Sequence, residues 1–475
     1  MTAGGGVDEP GARTSTLVIL GASGDLTARL LLPGLGTLLA GQPEREVTII
    51  GADREPMETS AWRELVRSAL TSTGCPGEVA AETADRAAWQ TVDLLDEESL
   101  RGLLGAIGGP AVLYFAVPPR IAQGACELLA RIGLPSGIRL GLEKPFGTDG
   151  ASAKAFNELL HGFVAEERVF RVDHFLGTST VLNVLGFRFA NRVWRPVWNA
   201  DNIERIDVIF DETLALEGRA GYYDTAGALV DMIQSHLLLV MAVTMMEEPA
   251  RIDATELRDH LAHVVRATRI WADEPATASR RARYTAGRIG ERNVPDYVDE
   301  PDVDPGNATE TLAELTVEVR NAHWAGVPVT LRSGKALGAD RHQIMITFRP
   351  VAHLPEGLGA DQVAIPNQLV LDLGPDRVAL EITTNGADDW RDIEATTMSA
   401  ALGPGAMEPY GQILAGMLDG DPLLSVRGDI SEECWRIIDP VRRAWQANET
   451  PLETYPAGSD GPASWPRARQ WASVD

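Results

Sequence analysis

The chain has 475 residues, 44% hydrophobic and 23% charged, enough for two domains with cores of their own and ordinary for a soluble globule. A formal net charge of −26 weighs against nucleic acid or an anionic membrane as partner. No uninterrupted apolar run reaches the roughly 18 residues of a membrane span, and the Gly-rich, polar residues 1–15 do not read as a signal peptide. Cys75, Cys126 and Cys434 are scattered and odd in number, which points to a reducing, cytoplasmic setting, and no His/Cys cluster has metal-ligand spacing. Only Lys144, Lys154 and Lys335 are lysines among 42 basic residues, so a lysine here marks a place where a compact ammonium is needed.

Thr16–Leu20 reads as a buried strand, followed by Gly21-Ala22-Ser23-Gly24-Asp25-Leu26-Thr27 and a periodic helix from about Asp25 to about Ala40, broken only by Pro33-Gly34. Strand, Gly-x-x-Gly turn and helix N-terminus make a corner suited to a pyrophosphate. The full Gly-x-Gly-x-x-Gly fingerprint is absent, and a plain structural turn is the alternative. The next strand, 46–51, ends at Ala52-Asp53-Arg54, where a dinucleotide fold meets the adenosine ribose. Asp53 suits a free 2′-hydroxyl and Arg54 a 2′-phosphate. A phosphate bound to so acidic a protein needs a cation, which favours NADP, with NAD as a secondary cofactor.

A short strand at 91–94, a helix at 98–107 and a strong strand at 111–117 follow. The last of these closes in Tyr114-Phe115-Ala116-Val117-Pro118-Pro119, a rigid bend fit to sit over a nicotinamide ring. A helix at 121–132, a strand at 138–142 running into Glu143-Lys144-Pro145-Phe146-Gly147 and a helix at 151–163 complete a mostly parallel, doubly wound pattern. Lys144 stands at a strand C-terminus, where ligand groups are presented, and a Lys-Pro bond there can be cis; a surface lysine is the plainer reading. Val169-Phe170-Arg171-Val172 then leads to Asp173-His174-Phe175-Leu176-Gly177-Thr178-Ser179. An Asp-His pair where two halves of a chain meet suits proton chemistry on a substrate held against a cofactor, although an Asp capping a turn beside a packed His fits equally.

In the second half, a helix at 178–185 and a strand at 203–210 lead to Asp211-Glu212. A long, very apolar helix follows within 222–246, its main body starting near Ala228, and it carries Asp231 and His236. Charged groups in such a run need partners. Their five-residue spacing puts them on different flanks of an α-helix. A helix at 253–267 and an irregular stretch at 284–307 precede β-rich runs at 311–320, 329–332, 343–348, 368–373 and 378–383. These predict one large, mainly antiparallel sheet, available for oligomerisation. Helices at 410–418 and 431–446 and a surface-wrapping terminus at 455–475 end the chain. The expected fold class is an α/β Rossmann-like domain followed by an α+β domain. The expected divisions are a flexible N-terminus at 1–14, a dinucleotide-binding domain at 15–174 and a substrate-binding and oligomerisation domain at 175–475.

Gly21-Ala22-Ser23-Gly24-Asp25-Leu26, Glu143-Lys144-Pro145-Phe146-Gly147, Arg171-Val172-Asp173-His174-Phe175-Leu176-Gly177, Gly218-Arg219-Ala220-Gly221-Tyr222-Tyr223-Asp224, Asp231-Met232-Ile233-Gln234-Ser235-His236 and Arg332-Ser333-Gly334-Lys335-Ala336-Leu337 resemble, in order, blocks of the glucose-6-phosphate 1-dehydrogenase family. Thr309-Glu310-Thr311 and Tyr455-Pro456-Ala457-Gly458-Ser459 add to the match. The resemblance implies a homodimer or homotetramer built through the sheet, a sugar substrate and NADP. It implies that His236 is the general base at the sugar's C1 hydroxyl and Asp173 its carboxylate partner. That fits a neutral imidazole taking a hydroxyl proton near neutral pH. Lys144 and Lys335 would hold sugar oxygens, Glu212 and Asp231 would accept from ring hydroxyls, Arg54 would meet the 2′-phosphate, and Tyr114 would contact the cofactor, as would Lys144.

The departures fall on the sugar-phosphate clamp. The family has Tyr where this chain has Phe175, Lys where it has Thr178, and Lys or Arg where it has Asp340; His174 is retained, and Ala28 replaces a cofactor-side Lys. The expectation is therefore NADP-dependent oxidation of a pyranose at C1 to a 1,5-lactone, on a sugar without the 6-phosphate, whose free C6 hydroxyl meets Thr178 and Asp340, or on one with another polar substituent there. Arg341, or an arginine of the irregular stretch before Asn307, would be the substitute if the clamp were rebuilt. The alternatives are an ordinary glucose-6-phosphate 1-dehydrogenase, a silent paralogue acting as a scaffold, and a broader sugar oxidoreductase class sharing Glu-Lys-Pro. The Asp-His-x-Leu-Gly and Gly-Lys-Ala-Leu blocks speak against the last.

Overall fold

The computed structural model describes residues 16–216, 220–359, 366–374, 376–403 and 405–465. The expected flexible N-terminus, Gly218 and Arg219 of the fourth block, and residues 466–475 of the expected terminal wrap lie outside the described residues. The chain forms two compact units. One runs up to Leu182 and takes back Glu247–Ala262 and Gly405–Trp435; the other comprises Asn183–Met246, His263–Pro404 and the chain from Arg436.

In the first unit, β1 (Thr16–Leu20), β2 (Thr48–Asp53), β3 (Ala88–Thr91), β4 (Ala111–Phe115), β5 (Ile138–Glu143) and β6 (Val169–Val172) are mutually parallel in the spatial order β3-β2-β1-β4-β5-β6. Ser425–Val426 adds an antiparallel edge against β6. The order reverses between β1 and β4, the switch point outside whose strand ends such sheets bind ligands. Continuous apolar strands are what a sheet covered on both faces requires. Leu17, Ile19 and Tyr114 pack with Leu35, Leu38, Trp62, Val66 and Leu70, and with Ile413, Leu414 and Met417 from helix Pro409–Asp419. The helix after β1 accommodates Pro33 by opening to π winding over Thr27–Leu31, where the Leu32 amide reaches Thr27 O, before closing to α over Leu32–Gly41. Helices Thr59–Thr71 and Gly77–Arg86, which the reading by pattern left out, fill the connection from β2 to β3.

The second unit is built on a ten-stranded sheet. From one edge it runs Ile393–Ala401, Asp376–Asn385, Gln368–Leu373, Arg341–Phe348, β7 (Ile203–Asp211), Val329–Gly334, Leu312–Val319, Ser279–Thr285 and Leu452–Pro456, with Thr268–Ile270 also pairing Leu312–Val319. Neighbours are antiparallel except at β7 with Val329–Gly334 and at Ser279–Thr285 with Leu452–Pro456. The last strand corrects part of the expected surface wrap: Tyr455 is fully buried, its phenol donating to Lys335 O at 2.6 Å. Helix Ala220–Met245 is long and apolar enough to cross a membrane by length and composition, but 83% of its most apolar window is buried inside the protein. It is a core helix lying against Leu312–Val319 and Val329–Gly334.

Candidate active site

In the first unit, the turn after β1 is drawn tightly against β4. Gly21 has φ +85°, and a Cβ there would stand 2.4 Å from Ala116 O. Only glycine fits that backbone and that approach. Gly21 and Ala22 donate to Ala52 O, Gly24 to Gly21 O and Thr27 to Gly24 O, and the helix opens at Asp25, so the first helical amides, of Asp25 and Leu26, stand at a helix N-terminus suited to a pyrophosphate. Asp53 and Arg54 stand at the end of β2. The Asp53 carboxylate is engaged locally: Oδ2 accepts the Ser23 hydroxyl at 2.7 Å and its amide at 3.2 Å, and Oδ1 accepts the Arg54 amide at 2.7 Å. The Arg54 side chain is 78% exposed.

The ends of β4, β5 and β6 assemble a second group. Tyr114 is fully buried, and its hydroxyl donates to Glu143 Oε1, as does that of Tyr410 at 3.2 Å. The ring expected to contact the cofactor therefore faces the interior and supports Glu143. Desolvation pushes the Glu143 carboxyl up to about 7, against the pull of both phenols and of the Lys144 ammonium; the Asp173 charge adds to the rise. The Lys144-Pro145 bond is cis. Asp173 is 1% exposed and caps the turn His174–Gly177, its Oδ1 accepting the Phe175 amide at 3.1 Å. The His174 ring stacks on Tyr410 at 5.8 Å, and the Thr178 hydroxyl donates to Phe175 O at 2.7 Å.

In the second unit, the end of β7 is stitched to the turn that carries Lys335. Glu212 donates its amide to Gly334 O, and Leu337 and Ala336 donate to Glu212 O and Leu214 O. The Lys335 ammonium lies 2.7 Å from Glu212 Oε2 and over the Tyr223 ring at 5.4 Å. Asp340, at the entrance to the next strand, accepts the Thr213 amide at 2.6 Å. Arg341 points to Asp211, 2.6 Å from its Oδ2, and Arg332 approaches the same buried carboxylate at 3.0 Å.

The helix carrying Asp231 and His236 is kinked at Gly227 and π-wound over Leu229–Leu237. The Leu238 amide reaches Ile233 O, five residues back. Such winding is looser than α winding and brings residues five apart nearer in angle around the axis. The expectation of different flanks applies to α winding; the looser winding here brings Asp231 and His236 nearer to one face. His236 is 2% exposed, and Asp231 is half-buried with the Tyr222 hydroxyl 3.4 Å away. Glu310 fixes the start of the segment, its Oε1 accepting the Leu229 amide at 3.0 Å. Asp224 anchors the preceding turn by accepting from the Tyr297 hydroxyl, the Asp304 amide and the Asn307 amide group. Burial raises the Asp224 carboxyl, but these bonds outweigh it and hold the group below the usual range.

A dinucleotide corner at a switch point, and a lysine–carboxylate pair and a helix bearing Asp231 and His236 in the other unit, suit a sugar oxidoreductase. A family model described as glucose-6-phosphate dehydrogenase, NAD binding domain, matches residues 18–183, and one described as its C-terminal domain matches residues 185–471. The chain belongs to the glucose-6-phosphate dehydrogenase family. It is 37% identical to glucose-6-phosphate 1-dehydrogenase of Gluconobacter oxydans over 465 residues, 94% of either chain. It is 33% identical to that of Zymomonas mobilis over 471 residues, covering 95% of this chain and 96% of the relative. Among solved structures, the Mycobacterium avium glucose-6-phosphate 1-dehydrogenase matches with a TM-score of 0.82 at 31% identity over 95% of each chain. A glucose-6-phosphate dehydrogenase in complex with its substrate glucose-6-phosphate matches with 0.84 at 27% identity over 96% of each.

As a member of this family, the protein is a nicotinamide-dinucleotide-dependent sugar dehydrogenase. Neither a substrate lacking the 6-phosphate nor a silent scaffold finds support, since relatives matched along nearly the whole chain are named for the phosphorylated sugar. The Asp340 carboxylate accepts the Thr213 amide and keeps its negative charge, so the argument from it turns on which other charges stand beside it. Four side chains escaped the reading by pattern. Tyr222, Tyr223 and Glu310 stood in matching blocks without a role, whereas nothing local pointed to Tyr410.

Proposed function

We propose that this protein oxidises glucose 6-phosphate at C1 to the 1,5-lactone with NADP. The observation that carries the reading is the pairing of Lys335 with Glu212 at 2.7 Å in a unit whose π-wound helix carries both Asp231 and His236. When bound, NADP supplies the hydride acceptor. His236 takes the proton of the C1 hydroxyl, and Asp173 is the carboxylate that steadies the imidazolium in this reading. Lys144 and Lys335 hold sugar oxygens, and Glu212 and Asp231 accept from ring hydroxyls. His174 and Thr178 belong to the substrate side. The preference for NADP over NAD follows from the local engagement of Asp53, which leaves the ribose phosphate to the exposed Arg54. Assembly into a homodimer or homotetramer through the large sheet is part of the same reading.

Steady-state kinetics test it. Wild type should give its highest kcat/KM with glucose 6-phosphate and NADP, and His236→Asn should lower kcat about 10²–10⁴-fold with cofactor affinity retained. A wild type that favours free glucose, or a His236→Asn enzyme that keeps most of its turnover, would remove the reading.

A further inference from the structure

We propose that a cavity of the second unit, lined by Gly227, Leu229, Arg281, Glu310, Arg442 and Trp445 among others, binds a small organic oxyanion, a phosphate or a carboxylate. The space is about 630 Å³, within the range of small-molecule sites and larger than a bare ion needs. Every lining residue belongs to that unit, and Glu212, Asp231, His236 and Lys335 do not line it. The site is thus separate from the residues given to the sugar and does not depend on which sugar is oxidised.

Two buried side chains bring unused polar atoms to this cavity. Arg281, on strand Ser279–Thr285, is 7% exposed and rests over the Trp445 ring at 5.6 Å. Its Nε donates to Thr450 O at 3.0 Å, and its Nη2 donates to Trp445 O at 2.9 Å and Asn448 Oδ1 at 3.3 Å. Those bonds fix the guanidinium plane and leave Nη1 without an acceptor among the described residues. Glu310 is also 7% exposed; its Oε1 takes the Leu229 amide at 3.0 Å, and its Oε2 has no donor among the described residues. Gly227 keeps that oxygen clear, since a Cβ there would stand 2.8 Å from it. The Thr311 amide bonds Ala282 O at 2.9 Å, which sets the residue after Glu310 against the residue after Arg281.

Buried donors without acceptors are costly, so a guanidinium held in place by three bonds with its remaining nitrogen on a cavity calls for an acceptor from outside the chain. The fork of an arginine matches the oxygens of a phosphate or carboxylate. Glu310 suits the same ligand when protonated, because its hydroxyl then donates. Burial lifts this carboxyl to about 7, against the pull of the Leu229 amide from the helix, Arg281 from the strand and Arg442 from helix Gly428–Gln446. The other acid on the cavity, Asp224, is already bonded to Tyr297, Asp304 and Asn307. A cationic ligand would meet Arg281 and Arg442 instead.

The test is calorimetric titration of the full chain with glycerol 3-phosphate and with citrate at matched ionic strength, alongside hydrogen exchange. Binding of either should slow exchange in 224–230 and 306–310, and the tighter of the two names the source of the oxyanion. Arg281→Lys, which loses the fork, should weaken binding about tenfold. Gln446→Glu, an exposed change at the rim that leaves folding intact, should weaken it in low salt. Glu310→Gln keeps a donor at every pH, so wild-type affinity relative to this variant should fall as pH rises through about 7. Arg54→Ala, which removes a cation of the dinucleotide corner, should leave the titration unchanged. Absence of binding by both compounds, exchange protection confined to other segments, or binding that survives Arg281→Lys and Gln446→Glu undiminished would overturn the assignment.

Discussion

What a charged residue does here is set by the groups around it. Asp53 and Asp340 each accept backbone amides and keep their charge, so their effect on a nearby phosphate depends on the arginines beside them. Glu310 shows the same dependence in its protonation. Burial pushes its carboxyl up to about 7, against the pull of the Leu229 amide, Arg281 and Arg442. The unfolded chain holds this group near 4.5. Between these values the folded chain carries one proton more than the unfolded, so raising pH through that window disfavours folding. The stabilising contribution is complete below about 4.5, lost above about 7, and worth about 3 kcal/mol. Glu310→Gln keeps an oxygen for the Leu229 amide and cannot titrate. Its melting temperature relative to wild type should therefore rise steadily from about pH 5 to about pH 7.5. A difference that stays constant with pH would show that Glu310 does not titrate there.

At the scale of the element, the helix from Ala220 to Met245 depends on one backbone break. Gly227 has φ 65° and ψ 175°, a region nearly closed to other residues, and a Cβ there would lie 2.3 Å from Glu310 Oε1. Gly227→Ala should cost about 1–3 kcal/mol from the backbone alone and displace the carboxylate that starts the π segment. Turnover should fall with stability, and truncation of Glu310 in the same chain should relieve only the steric part. Thermal melts and kcat of both variants check this; a Gly227→Ala protein of unchanged stability would contradict the account. The doubly wound unit was legible because apolar strands, a Gly-x-x-Gly turn and amphipathic helices recur at lengths that have one common solution. Trp62, Val66 and Leu70 mark an omitted helix at helical spacing, so that omission was one of reading. The π winding was not legible, since a pattern read at 3.6 residues per turn puts Asp231 and His236 apart. Nor was the bond from Arg292 to Thr213, which spans 79 residues, because nothing local to either residue announces it. The return of Gly405–Trp435 to the first unit is of the same kind: Tyr410 supports Glu143 from 267 residues away.

At the scale of the whole molecule, the unexplained feature is the far edge of the large sheet. Among the described residues, strand Ile393–Ala401 pairs on one side only, with Asp376–Asn385, and along it Ile393 alone is buried. Both of its faces are thus largely open to water, a condition in which a terminal strand gains little from packing and leaves a row of backbone groups ready to pair. Large apolar side chains stand out nearby, with Trp390 65% and Met398 52% exposed. A strand that is long, extended and uncovered needs another surface. In a homo-oligomer the natural cover is the same face of a second copy related by a two-fold axis, which sets each exposed strand against its mate. The expected species in solution is therefore a closed assembly of two or four chains of 51.2 kDa joined through this edge. Light scattering at micromolar concentration should return such a mass for wild type. Met398→Glu, which buries a carboxylate at the joint and lies far from Glu212 and His236 in sequence, should shift it towards one chain. Wild type running as a single chain at that concentration would show that the edge is covered in some other way.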